Sequence, residues 1–163
     1  MAIRKVGVIG DEILGKVCKP VKEMTPRTRE LIEDMFETMY EENGVGLAAS
    51  QVGVLRQIVT IDVEDGNQYV LINPEILETS GEQTGYEGCL SVPGKTGIVT
   101  RPDHVRVRAL NEEMEPYELV GEGLLARAIC HECDHLKGKL CVSMVEGELK
   151  DTDAMDEEEE SEE

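Results

Sequence analysis

The residues best suited to chemistry are His131, Glu132 and His135, an HExxH pattern inside an apolar stretch that predicts a helix from about Leu124 to Lys137. At roughly 100° per residue, the two imidazoles lie about 40° apart on one helical face, so both can bind one metal ion. Glu132 projects roughly 60° from His135, too far round for a ligand but close enough to reach a water in the site. The pattern therefore predicts a metal-dependent hydrolase with Glu132 as general base.

These residues leave the third metal ligand open. A hydrolytic metal centre needs three protein ligands and one free position, and the helix supplies only two ligands. Two histidines at this spacing also occur by coincidence on the polar face of an ordinary helix. On the helix alone, both interpretations stand.

Two further stretches contain unusual residues: GVGLAASQ at 44–51 and EGCLS at 87–91. The glycines of the first allow close backbone approach, but their spacing does not match phosphate-binding loops. A tight structural turn is the alternative interpretation. Cys89, in the second, is typical of a small buried apolar residue when it is considered in isolation.

The predicted elements give an α+β fold. Thr25 and Pro26 form a helix start, and Asn43 ends a helix predicted over 26–42. Strand-like runs lie at 57–63, 69–72, 76–79, 104–110 and 117–120, with a final strand or turn at 140–145. A helix, then several strands, then a second helix predict antiparallel sheets packed around a central C-terminal metal-binding helix, with an N-terminal helix.

Composition and charge predict one globular domain with an acidic end. The chain has 163 residues, 40% apolar and 31% charged, which suits a single core at residues 1–145. Of the net charge of −19, residues 146–163 contribute −10, and we expect this tail to be disordered. Acidic body and tail both argue against direct binding to nucleic acid or a membrane surface, which require clustered Lys and Arg.

The expected cellular compartment is inferred from the absence of targeting and membrane-spanning segments in this sequence. It has no basic-then-apolar leader and no apolar run of 18 residues, so we expect a cytoplasmic protein. Five cysteines, an odd number, are then expected as thiols or ligands rather than a disulfide framework.

Together, the stretches at 44–51, 87–91 and 131–135 resemble the three motifs of the peptide deformylases of bacterial type, in the same order and at similar separations. The resemblance extends over about residues 5–145. It implies an enzyme that removes the formyl group from the N-terminal N-formylmethionine of newly synthesised proteins and releases formate. A zincin-type metallopeptidase, which shares HExxH but uses Glu or His as third ligand, is the alternative. A non-catalytic module that keeps the fold is a second alternative.

The resemblance also implies the roles of the site residues. The metal would be Fe²⁺, with Zn²⁺, Ni²⁺ or Co²⁺ as replacements, and the ligands would be Cys89, His131 and His135. Besides Glu132, the resemblance implies that the Gln51 amide and the backbone N–H of Leu90 hold the oxyanion. The substrate backbone would be bound, as an added strand, by Val45, Gly46 and Gly88.

The remaining expectations concern partners and departures from the family. The implied partners are formylated nascent peptides at the ribosome, and the chain is expected to be a monomer. Glu87 is expected to pair with Arg101, or else to make a surface salt bridge. Cys130 replaces a Gln that is common in the family. With Cys133 it is interpreted as a packing residue, although this CxxC could oxidise or bind adventitious metal.

Overall fold

The computed structural model describes residues 2–151. Within this range two α-helices, α1 (Pro26–Glu41) and α2 (Leu124–Leu136), combine with antiparallel sheets, which confirms the α+β prediction. The strands in chain order are β1 (Gly46–Ala48), β2 (Ile58–Ile61), β3 (Tyr69–Ser80), β4 (Gln83–Cys89), β5 (Val92–Arg101), β6 (His104–Leu110), β7 (Pro116–Glu122) and β8 (Glu146–Asp151). Short 3₁₀ turns lie at Glu12–Gly15, Ala49–Val52 and Cys141–Met144.

The strands form two sheets that enclose α2. The larger sheet has the order β1-β2-β3-β6-β7 and the smaller sheet has the order β4-β5-β8, with antiparallel pairing throughout. Helix α2 contacts β1, β2, β6 and β7 of the larger sheet and β5 of the smaller one. Because α2 packs between the sheets, its residues can contact both of them. This agrees with the predicted arrangement of antiparallel sheets around a central C-terminal helix.

Helix α1 begins and ends close to the predicted residues. The Thr25 side chain accepts a hydrogen bond from the Thr28 backbone N–H at 3.1 Å, and Pro26 occupies the first turn, where no backbone donor is needed. Its apolar stripe is buried against β1 and β2 through Leu31, Ile32, Met35 and Met39. This helix closes one side of the core without contributing a polar group to the site.

Helix α2 is buried over most of its length. Cys130 and Cys133 lie in a core cluster with Ile129, which confirms that both cysteines are packing residues. The helix ends before Gly138, whose φ of 77° suits glycine and whose added Cβ would lie 2.5 Å from the Gly15 carbonyl oxygen. The chain therefore turns sharply here and passes close to the N-terminal segment.

Strand β3 continues through Asn73 and joins the two runs predicted at 69–72 and 76–79. Asn73 adopts a positive φ of 52°, and the pairing with β6 shifts register between Ile72 and Glu75. The Asn73 side chain accepts from the Val21 N–H and donates to the Val21 carbonyl, both at 2.8 Å. These two bonds hold a bulge in place of a strand end.

The Asn73 contacts predict a stability effect. Replacing Asn73 by Ala should lower the free energy of unfolding by about 2–3 kcal/mol, because two hydrogen bonds are lost. Asn43 also has a positive φ, 57°, but lies exposed, so Asn43→Ala should cost about 1 kcal/mol or less from backbone strain alone. Urea unfolding of both variants checks this, and equal losses would contradict the role of the Val21 bonds.

Two strands of the smaller sheet were not predicted. β4 and β5 pair along Gln83–Cys89 and Val92–Arg101, where the sequence pattern predicted no strand. Glycines at 85, 88, 94 and 97 remove the alternation of apolar and polar side chains that identifies a strand. The consequence for the site is that Cys89 lies at the end of a strand rather than in a free loop.

The expected boundary at residue 145 needs correction. Residues 146–151 form β8, which pairs with β5, and the Thr100 hydroxyl donates to the Glu146 carboxylate at 2.7 Å. As an edge strand, β8 can keep its acidic side chains in water while its backbone completes the sheet. The acidic run at 156–163, predicted to be disordered, lies outside the described residues.

Within residues 2–151, no helix has both the length and the apolar character needed to cross a membrane.

Candidate metal centre

Three potential metal ligands converge where the end of β4 meets α2. The Cys89 Sγ lies 3.3 Å from the His135 Nε2, which in turn lies 3.1 Å from the His131 Nε2. All three ligand atoms lie within 4.8 Å of one another. The structure thus brings together the three residues predicted as ligands, two from the helix and one from a sheet that the sequence pattern did not show.

The donor set fits a divalent metal ion. The two imidazole Nε2 atoms face each other, and a thiol completes a cluster of one sulfur and two nitrogens of the kind that binds transition metals with one position left open. A second group, Glu87 with His131 and Cys141, also has ligand atoms within 4.8 Å. The Glu87 carboxylate is already held by arginines, so the first group is the better candidate.

The protonation of two ligands has clear physical causes. Burial lowers the pKa of His135 to about 3, which keeps its imidazole neutral and able to bind a metal ion. The hydrogen bond with Cys141, together with burial, raises the pKa of the Cys89 thiol. A bound cation would favour the thiolate form of Cys89, so metal binding would release its proton.

Glu132 lies beside the ligand cluster, in the predicted position. One carboxylate oxygen is 3.5 Å from the His131 Nε2, and the other is buried without a hydrogen-bond partner among residues 2–151. Burial raises the pKa of Glu132 to about 7, against the opposing effect of His131. An added Cβ at Gly46 would lie 2.9 Å from the Glu132 Cγ, so glycine is needed for this close approach.

Gln51 reaches the same site from the 3₁₀ turn after β1. Its side-chain oxygen accepts from the Ala48 N–H at 2.9 Å, and its Nε2 donates to the Ser91 hydroxyl at 3.0 Å. The Nε2 also lies 3.7 Å from the Cys89 Sγ. The Gln51 side chain is fully buried, and its hydrogen bonds direct the amide nitrogen towards the metal cluster.

The predicted substrate-binding residues line one cleft of about 520 Å³ that opens over the metal cluster. Its walls include Val45, Gly46, Gly88, Cys89, Leu90, His131 and Glu132. β1 and β4 are edge strands of their sheets, so unpaired backbone borders this cleft on two sides. Gln51 and His135 do not line the cleft, but each has a side-chain nitrogen near the Cys89 Sγ, at 3.7 and 3.3 Å.

Glu87 connects the ligands to a buried ionic network. Its carboxylate accepts two bonds from Arg101, at 3.0 and 2.7 Å, and one from Arg127 at 2.9 Å, and it lies 2.8 Å from the His131 Nδ1. Burial alone would raise the pKa of Glu87, but the hydrogen bonds with His131 and Arg101 lower it to about 2. The expected Glu87–Arg101 pair is confirmed, and it is buried rather than a surface bridge. The carboxylate fixes the His131 ring so that Nε2 faces the metal position.

Four residues in contact with this site were not predicted. Ser91 and Cys141 contact the side chains of Gln51 and Cys89, while Arg127 and Asp134 complete the ionic network around Glu87 and Arg101. The spacing of Arg127 carried a usable signal, because 127, 131 and 135 share one helical face at four-residue intervals. The other contacts depend on tertiary packing.

Arg127 offers a test of this network. Arg127→Met keeps the length of the side chain but leaves Glu87 with fewer donors, so we expect metal affinity to fall about tenfold. Competition with a chelator measures this, and Arg108→Met, on the exposed face of β6, is the matched control. Unchanged affinity in Arg127→Met would show that Arg101 alone orients Glu87.

Comparison with known proteins bears on the same residues. The family model for polypeptide deformylase matches residues 3–150, which include all of the converging side chains. The chain belongs to this family. A peptide deformylase of Agathobacter rectalis is 62% identical over 151 residues, covering 93% of this chain and 95% of the relative. A deformylase of Lachnoclostridium phytofermentans is 57% identical over 162 residues, covering 98% and 99%.

Solved deformylase structures share the fold. The enzyme of Legionella pneumophila has a TM-score of 0.85 at 46% identity, covering 88% of this chain and 86% of that one. The Synechococcus elongatus enzyme, solved in complex with actinonin, has a TM-score of 0.85 at 43% identity, covering 87% and 80%. Peptide deformylases are metal-dependent amide hydrolases that remove the formyl group from N-formylmethionine on nascent peptides, so the zincin-type peptidase alternative is not supported.

Proposed function

We propose that this deformylase binds Fe²⁺ through Cys89, His131 and His135 and acts on formylated nascent peptides with Glu132 as its general acid–base. The observation that carries the proposal is the convergence of these ligand atoms within 4.8 Å, with Glu132 adjacent. The choice of Fe²⁺ rests on the family resemblance, because one thiolate and two imidazoles also suit Zn²⁺, Ni²⁺ and Co²⁺. When bound, such an ion supplies a Lewis acid that lowers the pKa of water and polarises a carbonyl oxygen.

Glu132 moves the proton. Its partnerless carboxylate oxygen is available to accept a proton from the attacking water and then to deliver it to the leaving amine of methionine. A pKa of about 7 suits both halves of this transfer near neutral pH. The absence of a side chain at Gly46 leaves room for the carboxylate beside the ligands.

Gln51 stabilises the oxyanion, with the backbone N–H of Leu90 as second donor. Since the Gln51 oxygen accepts from the Ala48 N–H, the amide is oriented with its donating Nε2 near Cys89. Buried, fixed donors of this kind stabilise developing negative charge without reorganisation. The Ser91 hydroxyl, 3.0 Å from Nε2, keeps the amide in this orientation before substrate arrives.

The peptide binds as an added strand between the two sheet edges. Val45 and Gly46 contribute the β1 side, and Gly88 contributes the β4 side. Backbone pairing of this type recognises an extended chain independently of its later side chains. This arrangement suits an enzyme whose substrates share only a formylated first residue.

The proposed setting is the cytoplasm, at the ribosome, with the chain acting as a monomer. Formylated N-termini are exposed as nascent chains emerge, and the extended cleft accepts such a flexible segment. The net charge of −19 argues against direct binding to nucleic acid.

One experiment tests the function and the metal together. Anaerobically purified protein is assayed for formate release from formyl-Met-Ala. Its metal content is measured by inductively coupled plasma mass spectrometry. We expect one formate released for each peptide consumed, and one Fe²⁺ bound per chain. Cleavage of the Met–Ala bond without formate would contradict the proposed activity, while formate release with zinc only would overturn the proposed metal.

A further inference from the structure

Cys141 is a buried thiol that the proposed reaction does not use. It lies in the 3₁₀ turn Cys141–Met144, directly after the chain leaves α2, and is 4% exposed. Whereas Cys130 and Cys133 lie in the apolar core, Cys141 has its Sγ within 4.8 Å of ligand atoms of both Glu87 and His131. Its position therefore belongs to the metal centre rather than to the core.

The Sγ atoms of Cys141 and Cys89 each lie within 4.8 Å of a ring nitrogen of His131, so the two thiols flank the same imidazole. The two thiols come from distant parts of the chain, the end of β4 and the turn before β8. The turn lies against both β4 and β5, and Arg101 contacts its last residue through the Met144 sulfur at 3.5 Å. The contact is thus held by tertiary structure on both sides.

Cys141 is placed beside the ligand set rather than within it. The converging ligand group consists of Cys89, His131 and His135, and Cys141 instead groups with Glu87 and His131. A fourth protein ligand would also close the position that hydrolysis requires. A role for Cys141 as a partner for the Cys89 sulfur fits this placement better than a role as a metal ligand.

We propose that Cys141 is a resolving thiol that forms a reversible disulfide with Cys89 when the site meets a peroxide. Cys89 lines the cleft, so a small oxidant reaches it first, whereas Cys141 is covered. The disulfide withdraws Cys89 from metal binding and at the same time protects its sulfur from irreversible oxidation.

The chemistry balances with hydrogen peroxide as the oxidant. The Cys89 sulfur attacks one peroxide oxygen, the O–O bond breaks, and Cys89 sulfenic acid and one water form. The Cys141 sulfur then attacks the Cys89 sulfur, the S–O bond breaks, and a second water leaves with the Cys141 proton. In total the two thiols lose two protons and two electrons, which the peroxide takes up to become two waters.

The test uses the full chain loaded with zinc, which has no redox chemistry of its own. After one equivalent of hydrogen peroxide, peptide mass spectrometry should show Cys89 joined to Cys141, and a chromogenic chelator should detect released zinc. Dithiothreitol with added zinc should then restore formate release. The mass-spectrometric result tests the disulfide, and the zinc result tests the ligand role of Cys89 proposed above.

Cys141→Ala and the more conservative Cys141→Ser are the test variants, and Cys133→Ala is the matched control with another buried thiol removed. Without Cys141, Cys89 should gain two or three oxygens, and recovered activity should fall at least about tenfold below that of wild type and control. Cys89 sulfinic acid in the wild type with Cys141 still reduced would overturn the proposal, as would equal recovery in all proteins. A Cys89–Cys141 disulfide that forms without zinc release would instead overturn the ligand role of Cys89.

Discussion

Replacing Glu132 by Gln is expected to lower turnover of formyl-Met-Ala by about two to four orders of magnitude, the range for loss of a general acid–base. The substitution keeps the shape of a side chain that is 3% exposed and that contacts Gly46 closely. It removes the oxygen that can take a proton, while the three ligand atoms remain. Metal content should therefore equal that of the wild type, and the loss of activity should be seen as a lower kcat.

The matched control for this variant is Glu113→Gln, an exposed carboxylate in the turn between β6 and β7. It changes the net charge equally and should leave both kcat and metal content unchanged. Near-wild-type turnover in Glu132→Gln at equal metal content would assign the proton transfer to another group. Loss of metal in that variant would show that Glu132 supports the ligands instead.

The helical part of the site could be predicted from sequence because its geometry is local. A fixed rotation per residue places His131 and His135 on one face wherever the helix lies. The predicted N-terminal helix is confirmed for the same reason, since the Thr25 cap and the Pro26 start act within one turn. For such features, a few neighbouring residues determine the outcome.

The sheet part of the site required more than local pattern. Cys89 was assigned through the resemblance, since the glycine-rich strands β4 and β5 lack the alternation that marks a strand. Arg127 and Cys141 meet Glu87 and Cys89 only after the two sheets close around α2. Similarly, β3 continues through Asn73 because Val21, 52 residues away, satisfies its side chain. Contacts of this kind depend on tertiary structure and leave little trace in the sequence.

Within this arrangement, the metal depends on Cys89 more than on any residue of the ionic network. The thiol is the single ligand that can bring negative charge to the site, since both imidazoles bind in the neutral form. The hydrogen bond with Cys141 and burial both raise the pKa of the Cys89 thiol, and a bound cation would offset this by stabilising the thiolate. Removing the thiol therefore removes the charge that offsets the buried cation.

Replacing Cys89 by Ser should accordingly cost the metal itself. A serine hydroxyl stays protonated near neutral pH and bonds weakly to transition metals, so we expect metal affinity to fall more than about 100-fold, beyond the effect of a lost outer contact. Formate release should disappear with the metal, while the thermal unfolding of the metal-free protein should change little. Chelator competition measures the affinity, with Cys133→Ala as the control that removes a buried thiol away from the site. Stoichiometric metal and full activity in Cys89→Ser would place the third ligand elsewhere, with Cys141 as the nearest thiol to examine.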